Sequence, residues 1–279
     1  MRKRIALVVG LLGVVIAALA AAASAGAAPA LSCASSSAFT TKNGNMTLNA
    51  DCTASSTVLV QNGYTLNGNG HTITAVDPTS GAFDGAVVQN AGTTMNVKNL
   101  TINGASTAIE QCGNASGSPR TFNGVAFMAA GGSISNVTLN GIGLPATGCQ
   151  LGRAIVVRDA TSQTKQSVTI SNNTVSNYNK NGIDVRGNVA AAISGNTVTT
   201  TASGAIARNG IVVGDGASAQ VWSNTVSGNF YAGSDTYATG LLVFGPSTVS
   251  MTKGPNMLSN NQTPLDQGDG TIVGTHYSA

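Results

Sequence analysis

Residues 168–229 read VTISNNTVSNYNKNGIDVRGNVAAAISGNTVTTTASGAIARNGIVVGDGASAQVWSNTVSGN, and one six-residue motif occurs in them three times. The copies are ISNNTV at 170–175, ISGNTV at 193–198 and VWSNTV at 221–226. Each copy is followed by an apolar run that begins with glycine, and the first two of these glycines, Gly182 and Gly210, are 28 residues apart. A period of this length, built of short alternating strands, is typical of a solenoid whose repeats bury their faces against their neighbours.

The repeat extends beyond this stretch in both directions. VKNLTI at 97–102 and ISNVTL at 134–139 are earlier copies, and the pattern degrades after residue 251, as expected of a terminal turn. Because parallel crossovers are right-handed, the sequence predicts an all-β chain folded as a single right-handed parallel β-helix, a β-solenoid of about seven turns. Period-two alternation places these apolar side chains inside: Ile170, Val175, Ile183, Val185, Ile193, Val198, Ile211, Val213, Val221 and Val226.

The first 27 residues have the features of a secretory signal peptide. A basic start, MRKR, precedes a long apolar run that ends at the small-residue site Ala25-Gly26-Ala27. The predicted mature protein is therefore one secreted β-helix domain, residues 28–279. The length of the apolar run leaves an uncleaved membrane anchor as the alternative.

Charge argues against a nucleic-acid partner. Of 13 Lys and Arg residues, three lie in the predicted signal peptide, together with none of the 10 Asp and Glu residues. The mature chain then carries ten charges of each sign, so that neither a nucleic acid nor, after signal cleavage, a membrane surface is an expected partner. Two histidines far apart and no CxxC pair predict no metal site.

Four cysteines in an exported chain indicate structural disulfides. We favour the pairs Cys33–Cys52 and Cys112–Cys149, although four cysteines permit three pairings. A lipid-modified Cys33 is the rival interpretation, but the residues before it form a poor processing site and Cys52 would lose its partner.

The N-terminal part resembles a known family. Cys33, the element TLNADC at 47–52 and the stretch LNGNGHTI at 66–73 are similar to the opening of secreted right-handed parallel β-helix proteins of the pectin-lyase-like superfamily. The resemblance extends to about residue 261, and its motifs specify the fold much more than any activity. With the cysteine pairing, it implies a disulfide-bonded N-terminal cap.

The reaction most associated with that superfamily is β-elimination of acidic polysaccharide, which needs carboxylates that hold Ca²⁺ and an Arg or Lys base. The candidate catalytic residues are Arg158, Asp159, Asp184 and Arg186. The simpler interpretation, which we favour, is a surface ion pair between Asp184 and Arg158 or Arg186, worth less than ~1 kcal/mol. The motifs of the superfamily's hydrolases are absent from the sequence, so Ca²⁺ is expected only if the protein is a lyase.

Aromatic residues favour glycan binding instead. Trp222, Phe230, Tyr231 and Tyr237 lie on or after the third copy of the motif, and exposed aromatic rings stack on sugars. Packing of Trp222 beneath the following loop is an equal alternative. We therefore expect a polysaccharide-binding protein, with a polysaccharide lyase or hydrolase as the alternative.

A non-catalytic surface solenoid is the second alternative. Its basis is a column of outward threonines that resembles the faces of ice-binding proteins; strands favour such residues in any case. The column comprises Thr101, Thr138, Thr174, Thr197 and Thr225. The sequence leaves the oligomeric state open.

Overall fold

The computed structural model describes residues 31–106, 112, 120–143, 149–201, 205–274 and 276–279, and these residues form strands and turns without a helix. The predicted signal peptide lies outside them. Numbered along the chain, the strands are β1 (Leu31–Ser32), β2 (Phe39–Lys42), β3 (Asn45–Leu48), β4 (Cys52–Ala54), β5 (Val58–Val60), β6 (Thr65–Asn67), β7 (Thr72–Val76), β8 (Gly85–Asn90), β9 (Thr94–Ser106), β10 (Phe122–Met128), β11 (Gly131–Asn140), β12 (Arg153–Asp159), β13 (Gln166–Ser171), β14 (Thr174–Ser176), β15 (Asn181–Gly187), β16 (Val189–Ser194), β17 (Thr197–Thr199), β18 (Asn209–Gly214), β19 (Ser218–Trp222), β20 (Thr225–Ser227), β21 (Thr239–Val243), β22 (Thr248–Ser250), β23 (Asn256–Met257), β24 (Thr263–Asp266), β25 (Thr271–Val273) and β26 (Tyr277–Ser278).

The strands form two sheets. The eight-strand sheet has the order β5-β8-β10-β12-β15-β18-β21-β24, and all its strands are parallel. The eighteen-strand sheet contains the remaining strands, which are parallel except for the β2–β3 hairpin near the N-terminus. In both sheets each strand pairs with the equivalent strand of the next repeat. This all-β, parallel architecture is compatible with a β-solenoid.

The register of the strands matches the alignment of the repeats. Ile170 pairs with Ile193 and Ile193 with Val221, while Ile183 pairs with Ile211 in the eight-strand sheet. All ten side chains predicted to lie inside are at most 1% exposed. The threonine column is likewise in register from β9 through β11, β14 and β17 to β20. Period-two alternation was therefore sufficient to identify the core.

Glycine leads the apolar runs because the backbone there has no room for a side chain. A Cβ atom on Gly182 would lie 2.3 Å from a methyl carbon of Val198 and 2.7 Å from the carbonyl oxygen of Gly210. At Gly210 the equivalent distance to Val226 is 2.1 Å. Val198 and Val226, which belong to the eighteen-strand sheet, thus pack directly on the backbone of β15 and β18 in the eight-strand sheet.

Buried asparagines connect successive repeats. Asn173, Asn196, Asn224 and Asn256 are each 1% exposed, and the Nδ2 of each of the first three donates to the Oδ1 of the next at 2.9–3.0 Å. Each Nδ2 also donates to a backbone carbonyl of the preceding repeat, as from Asn196 to Ile170 at 2.9 Å. We call these four residues the asparagine ladder. Its first three members occupy the fourth position of the three copies of the repeated motif, so the repeat alignment places them in one column.

Two disulfides join the cysteine pairs that we favoured. Cys33 bonds to Cys52 with a Cα–Cα distance of 5.1 Å, and Cys112 bonds to Cys149 at 5.2 Å. The first connects the segment before the β2–β3 hairpin to β4. Disulfides of this kind point to an oxidising, extracellular environment.

Replacement of Asn196 by alanine should destabilise the protein strongly. The change removes four side-chain hydrogen bonds, so that buried groups of Asn173, Ile170 and Asn224 each lose a partner. We expect a loss of about 3 kcal/mol or more in the free energy of unfolding, measured by urea titration. Thr197→Ala, at the exposed neighbouring residue, is the matched control and should change stability by less than ~0.5 kcal/mol. Equal losses in the two variants would contradict a structural role for the ladder.

Candidate functional site

A carboxylate surrounded by three guanidinium groups lies on the outer side of the eight-strand sheet. Oδ1 of Asp184 is 2.6 Å from Nε of Arg186, and its Oδ2 is 3.2 Å from Nη2 of Arg158 and 2.9 Å from Nε of Arg153. Arg153 and Arg158 come from β12, and Asp184 and Arg186 from β15, which pairs with it. The inward side chains Ile183 and Val185 flank Asp184, so alternation directs the carboxylate outward.

This arrangement corrects the expectation of a surface ion pair. Asp184 has no exposed surface, because Val156 and Val212 are its neighbours on the adjacent strands and the arginine side chains cover it. Burial by itself would raise the pKa of the carboxyl group, but the charges of Arg186, Arg158 and Arg153 outweigh it and hold the pKa of Asp184 below its ordinary value. The carboxylate stays ionised and is committed to the arginines.

Arg186 is held in place on its other sides as well. The Phe244 ring stacks against its guanidinium at 4.8 Å, and Asp215 lies 3.7 Å from its Nη1. The ring can reach this position because it passes over Gly214, where a Cβ atom would lie 2.4 Å from the Phe244 Cζ. Arg186 therefore presents its remaining donors in a fixed orientation.

Asp159, the fourth predicted catalytic residue, has a structural environment. Its carboxylate accepts hydrogen bonds from the backbone N–H groups of Thr161 and Ser162 and from the Ser162 hydroxyl. The Ser162 hydroxyl is the main reason that the pKa of Asp159 is lowered. These bonds fix the turn after β12. The turn closes a groove of about 530 Å³ that Arg158, Arg186 and Asp215 also line.

A second cavity, of about 260 Å³, contains two of the predicted aromatic residues. Tyr231 and Tyr237 line it together with Lys180, Asp235 and Asp266. The Tyr231 hydroxyl donates to Oδ1 of Asp235 at 2.6 Å, and this bond lowers the pKa of Asp235. Tyr237 is 63% exposed, so its ring is free to meet a ligand. We call this the tyrosine cavity.

Lys180 is an unusual member of the tyrosine cavity. Its Nζ donates to the backbone carbonyl of Ala207 at 3.0 Å, and within the described residues it has no ion-pair partner. Burial, followed by the charges of Arg153 and Arg186, lowers its pKa to about 8. The arginines around Asp184 thus act on the cavity through their charge.

Trp222 lies apart from these tyrosines. It belongs to β19 of the eighteen-strand sheet, in the outward column of Ser171 and Ser194, and Lys253 stacks over its ring at 4.7 Å. The lining of the tyrosine cavity does not include it. Phe230 is half-buried beside Tyr231 in the loop after β20. Of the predicted aromatic residues, Trp222 therefore lies on the eighteen-strand sheet, and the other three lie in the loop between β20 and β21.

Sequence reasoning missed several groups of the site. Arg153 precedes the aligned apolar run. Lys180, Asp235 and Asp266 lie in or next to turns, which the repeated motif does not cover. Arg153 could have been found, because it pairs with Asn181 at the first position of the next strand in the sheet. The loop residues carry no periodic signal.

Among the described residues, no group of three or more His, Cys, Asp or Glu side chains is arranged to hold a metal ion. No helix in the described part of the chain is long and apolar enough to cross a bilayer. Comparisons of the chain with protein-family models, with curated proteins and with solved structures gave no match.

Replacement of Asp184 by asparagine should destabilise the protein by about 3 kcal/mol, because three guanidinium groups would lose their counter-charge at a buried position. Since the folded-state pKa of Asp184 is lowered, its stabilisation is present above the unfolded pKa of about 4 and disappears as the pH falls through the folded value. Urea unfolding at pH 7 and at pH 3 measures both effects.

The difference in the free energy of unfolding between the parent and Asp184→Asn should thus be smaller at pH 3 than at pH 7. Asp215→Asn is the control. This carboxylate is 54% exposed and faces a single guanidinium, that of Arg186, at the longer distance of 3.7 Å. A destabilisation by Asp215→Asn as large as that by Asp184→Asn would contradict the assignment.

Proposed function

We propose that this protein is a secreted β-solenoid that binds an extracellular or cell-wall polysaccharide at the tyrosine cavity. The solenoid is a single right-handed parallel β-helix of the pectin-lyase-like type, and the eight parallel strands of the smaller sheet are consistent with its predicted length of about seven turns. Parallel register in both sheets supports this fold, and the disulfides support secretion.

The observation that carries the binding proposal is the composition of the tyrosine cavity. An exposed Tyr237 ring offers a surface on which a sugar can stack, and Asp235 and Asp266 offer acceptors for sugar hydroxyl groups. Lys180 supplies donors, and the Tyr231 oxygen, whose proton is donated to Asp235, can accept a further hydrogen bond. Aromatic stacking together with a few directed polar groups is the combination that a neutral sugar requires.

The arginines extend the same surface. Arg158 and Arg186 stand on neighbouring strands of the sheet whose outer side leads to the cavity, and the spacing between such strands is about 4.8 Å. Their side chains are held by Asp184, so that binding a ligand costs little further side-chain entropy. A polymer that crosses several strands would contact the cavity and the arginines together. Because it would lose its translational and rotational freedom only once, the second set of contacts would add to the affinity.

Binding is favoured over the lyase alternative because the carboxylates that would hold Ca²⁺ are engaged elsewhere. Asp184 is shared by three guanidinium groups and Asp159 is bonded within its own turn. Asp215, which lines the groove beside Arg186, is the exposed carboxylate left near these residues, and a single carboxylate makes a weak calcium site. No specific observation favours hydrolysis.

Replacement of Tyr237 by alanine should weaken polysaccharide binding at least tenfold without unfolding the protein, because an exposed stacking ring is removed. A glycan array identifies the ligand, and isothermal titration with oligosaccharides of increasing length then measures affinity. We expect affinity to rise with chain length.

Trp222→Ala is the matched control for this experiment. It removes an aromatic ring from the other sheet, where Lys253 already covers it, and should leave affinity within about twofold of the parent. If the array shows no ligand, or if Trp222→Ala weakens binding while Tyr237→Ala does not, the proposed cavity is wrong.

A further inference from the structure

Lys180 has the surroundings of an amine that reacts with carbonyl compounds. It stands immediately before β15 and lines the tyrosine cavity, where Tyr231, Asp235, Tyr237 and Asp266 lie around it. We propose that Lys180 forms an imine with the aldehyde group of a ligand in this cavity, either the open-chain aldehyde at the reducing end of a saccharide or a free short aldehyde. The first case rests on the proposed function, and the second does not.

The position of Lys180 favours the neutral amine, which is the form that attacks a carbonyl group. Its side chain is half-buried, and its hydrogen-bond partner is the uncharged carbonyl of Ala207. The nearby carboxylate that could have stabilised an ammonium ion, Asp184, is already shared by three guanidinium groups. A lysine that is desolvated and close to other cations is activated as a nucleophile.

The charged groups around Lys180 act in opposite directions. Arg153 and Arg186 repel its ammonium form, and Asp184 attracts it more weakly than burial and the arginines disfavour it. The lowered pKa of about 8 agrees with this geometry. At pH 8 about half of Lys180 is then unprotonated, whereas a lysine with the ordinary value of about 10.4 is unprotonated to about 0.4%.

The cavity also fits the reaction that we assign to it. The amine nitrogen adds its lone pair to the carbonyl carbon, and the carbonyl oxygen leaves as water with the two protons of the amine, so that one C=N bond replaces the C=O bond. Asp235 is held as a carboxylate by the Tyr231 hydroxyl and can accept hydrogen bonds from the hydroxyl groups of the ligand. No oxidant, reductant or metal is needed.

Reductive trapping tests this proposal on the intact protein. The protein is incubated at pH 8 with sodium cyanoborohydride and either a reducing cello-oligosaccharide or glyceraldehyde, and peptide mapping locates the added mass. We expect Lys180 to be labelled at least tenfold faster than the exposed Lys42 and Lys98. This ratio of labelling rates is smaller than the ratio of unprotonated fractions, because a less basic amine is also less nucleophilic.

Three variants and one ligand complete the experiment. Lys180→Arg keeps the positive charge and should lose the fast label, whereas Lys42→Arg should keep it. Asp184→Asn should slow the labelling of Lys180 little or not at all, since it removes a charge that favours the ammonium form of Lys180. The alditol of the same oligosaccharide has no aldehyde and measures non-covalent binding alone.

The outcomes separate the two proposals. Fast labelling of Lys180 by either aldehyde supports the imine, and the ligand that labels it identifies the source. If glyceraldehyde labels Lys180 but no glycan binds, the proposed function fails and the reactive lysine stands. If the alditol binds but label from both aldehydes is spread evenly over the exposed lysines, the proposed function stands and the imine is wrong.

Discussion

The stacking of the repeats from Asn173 to Asn256 depends on the asparagine ladder, whose buried amides bond to groups of the neighbouring repeats. An unsatisfied amide in the interior would cost about 1–3 kcal/mol, so the ladder permits one alignment of neighbouring repeats and penalises a slip by a residue. Hydrophobic burial supplies most of the stability but is not directional. The ladder supplies the direction, and it therefore places Arg158 beside Arg186 and superimposes the outward columns of successive strands.

Periodicity made most of this architecture readable from the sequence. The stacking of Ile183 on Ile211 and the burial of the ten core side chains follow from a two-residue alternation repeated along the chain. The fourth member of the ladder, Asn256, was missed because its repeat has lost the flanking motif, although its side chain bonds Asn224 as the others bond one another. Toward the C-terminal end of the stack, the six-residue motif is therefore lost while the hydrogen bond between ladder asparagines is kept.

The candidate site was less predictable because it depends on distances that alternation does not encode. The sequence showed that Asp184 points outward, but whether an outward carboxylate is exposed depends on how long arginine side chains fold over it, and here three of them do so. Tyr237 and Asp266 meet in one cavity although three strands, β21, β22 and β23, lie between them in the chain. Trp222 is close to the tyrosines in sequence, yet it lies on the eighteen-strand sheet together with the next strand, β20. The tyrosines lie in the loop after β20, which leads to the eight-strand sheet.

The ladder also explains how such a chain can acquire different loops. Successive ladder residues are 23, 28 and 32 positions apart, and the hydrogen bonds between them are nevertheless equivalent. The additional residues are accommodated elsewhere in each repeat, including the loop that carries Tyr231 and Tyr237. Insertions in that loop leave the hydrogen bonds of the ladder unchanged, whereas an insertion next to a ladder asparagine would break them. The fold therefore separates a segment that has to keep its length from one that can vary, and binding groups can be exchanged in the second without rebuilding the first.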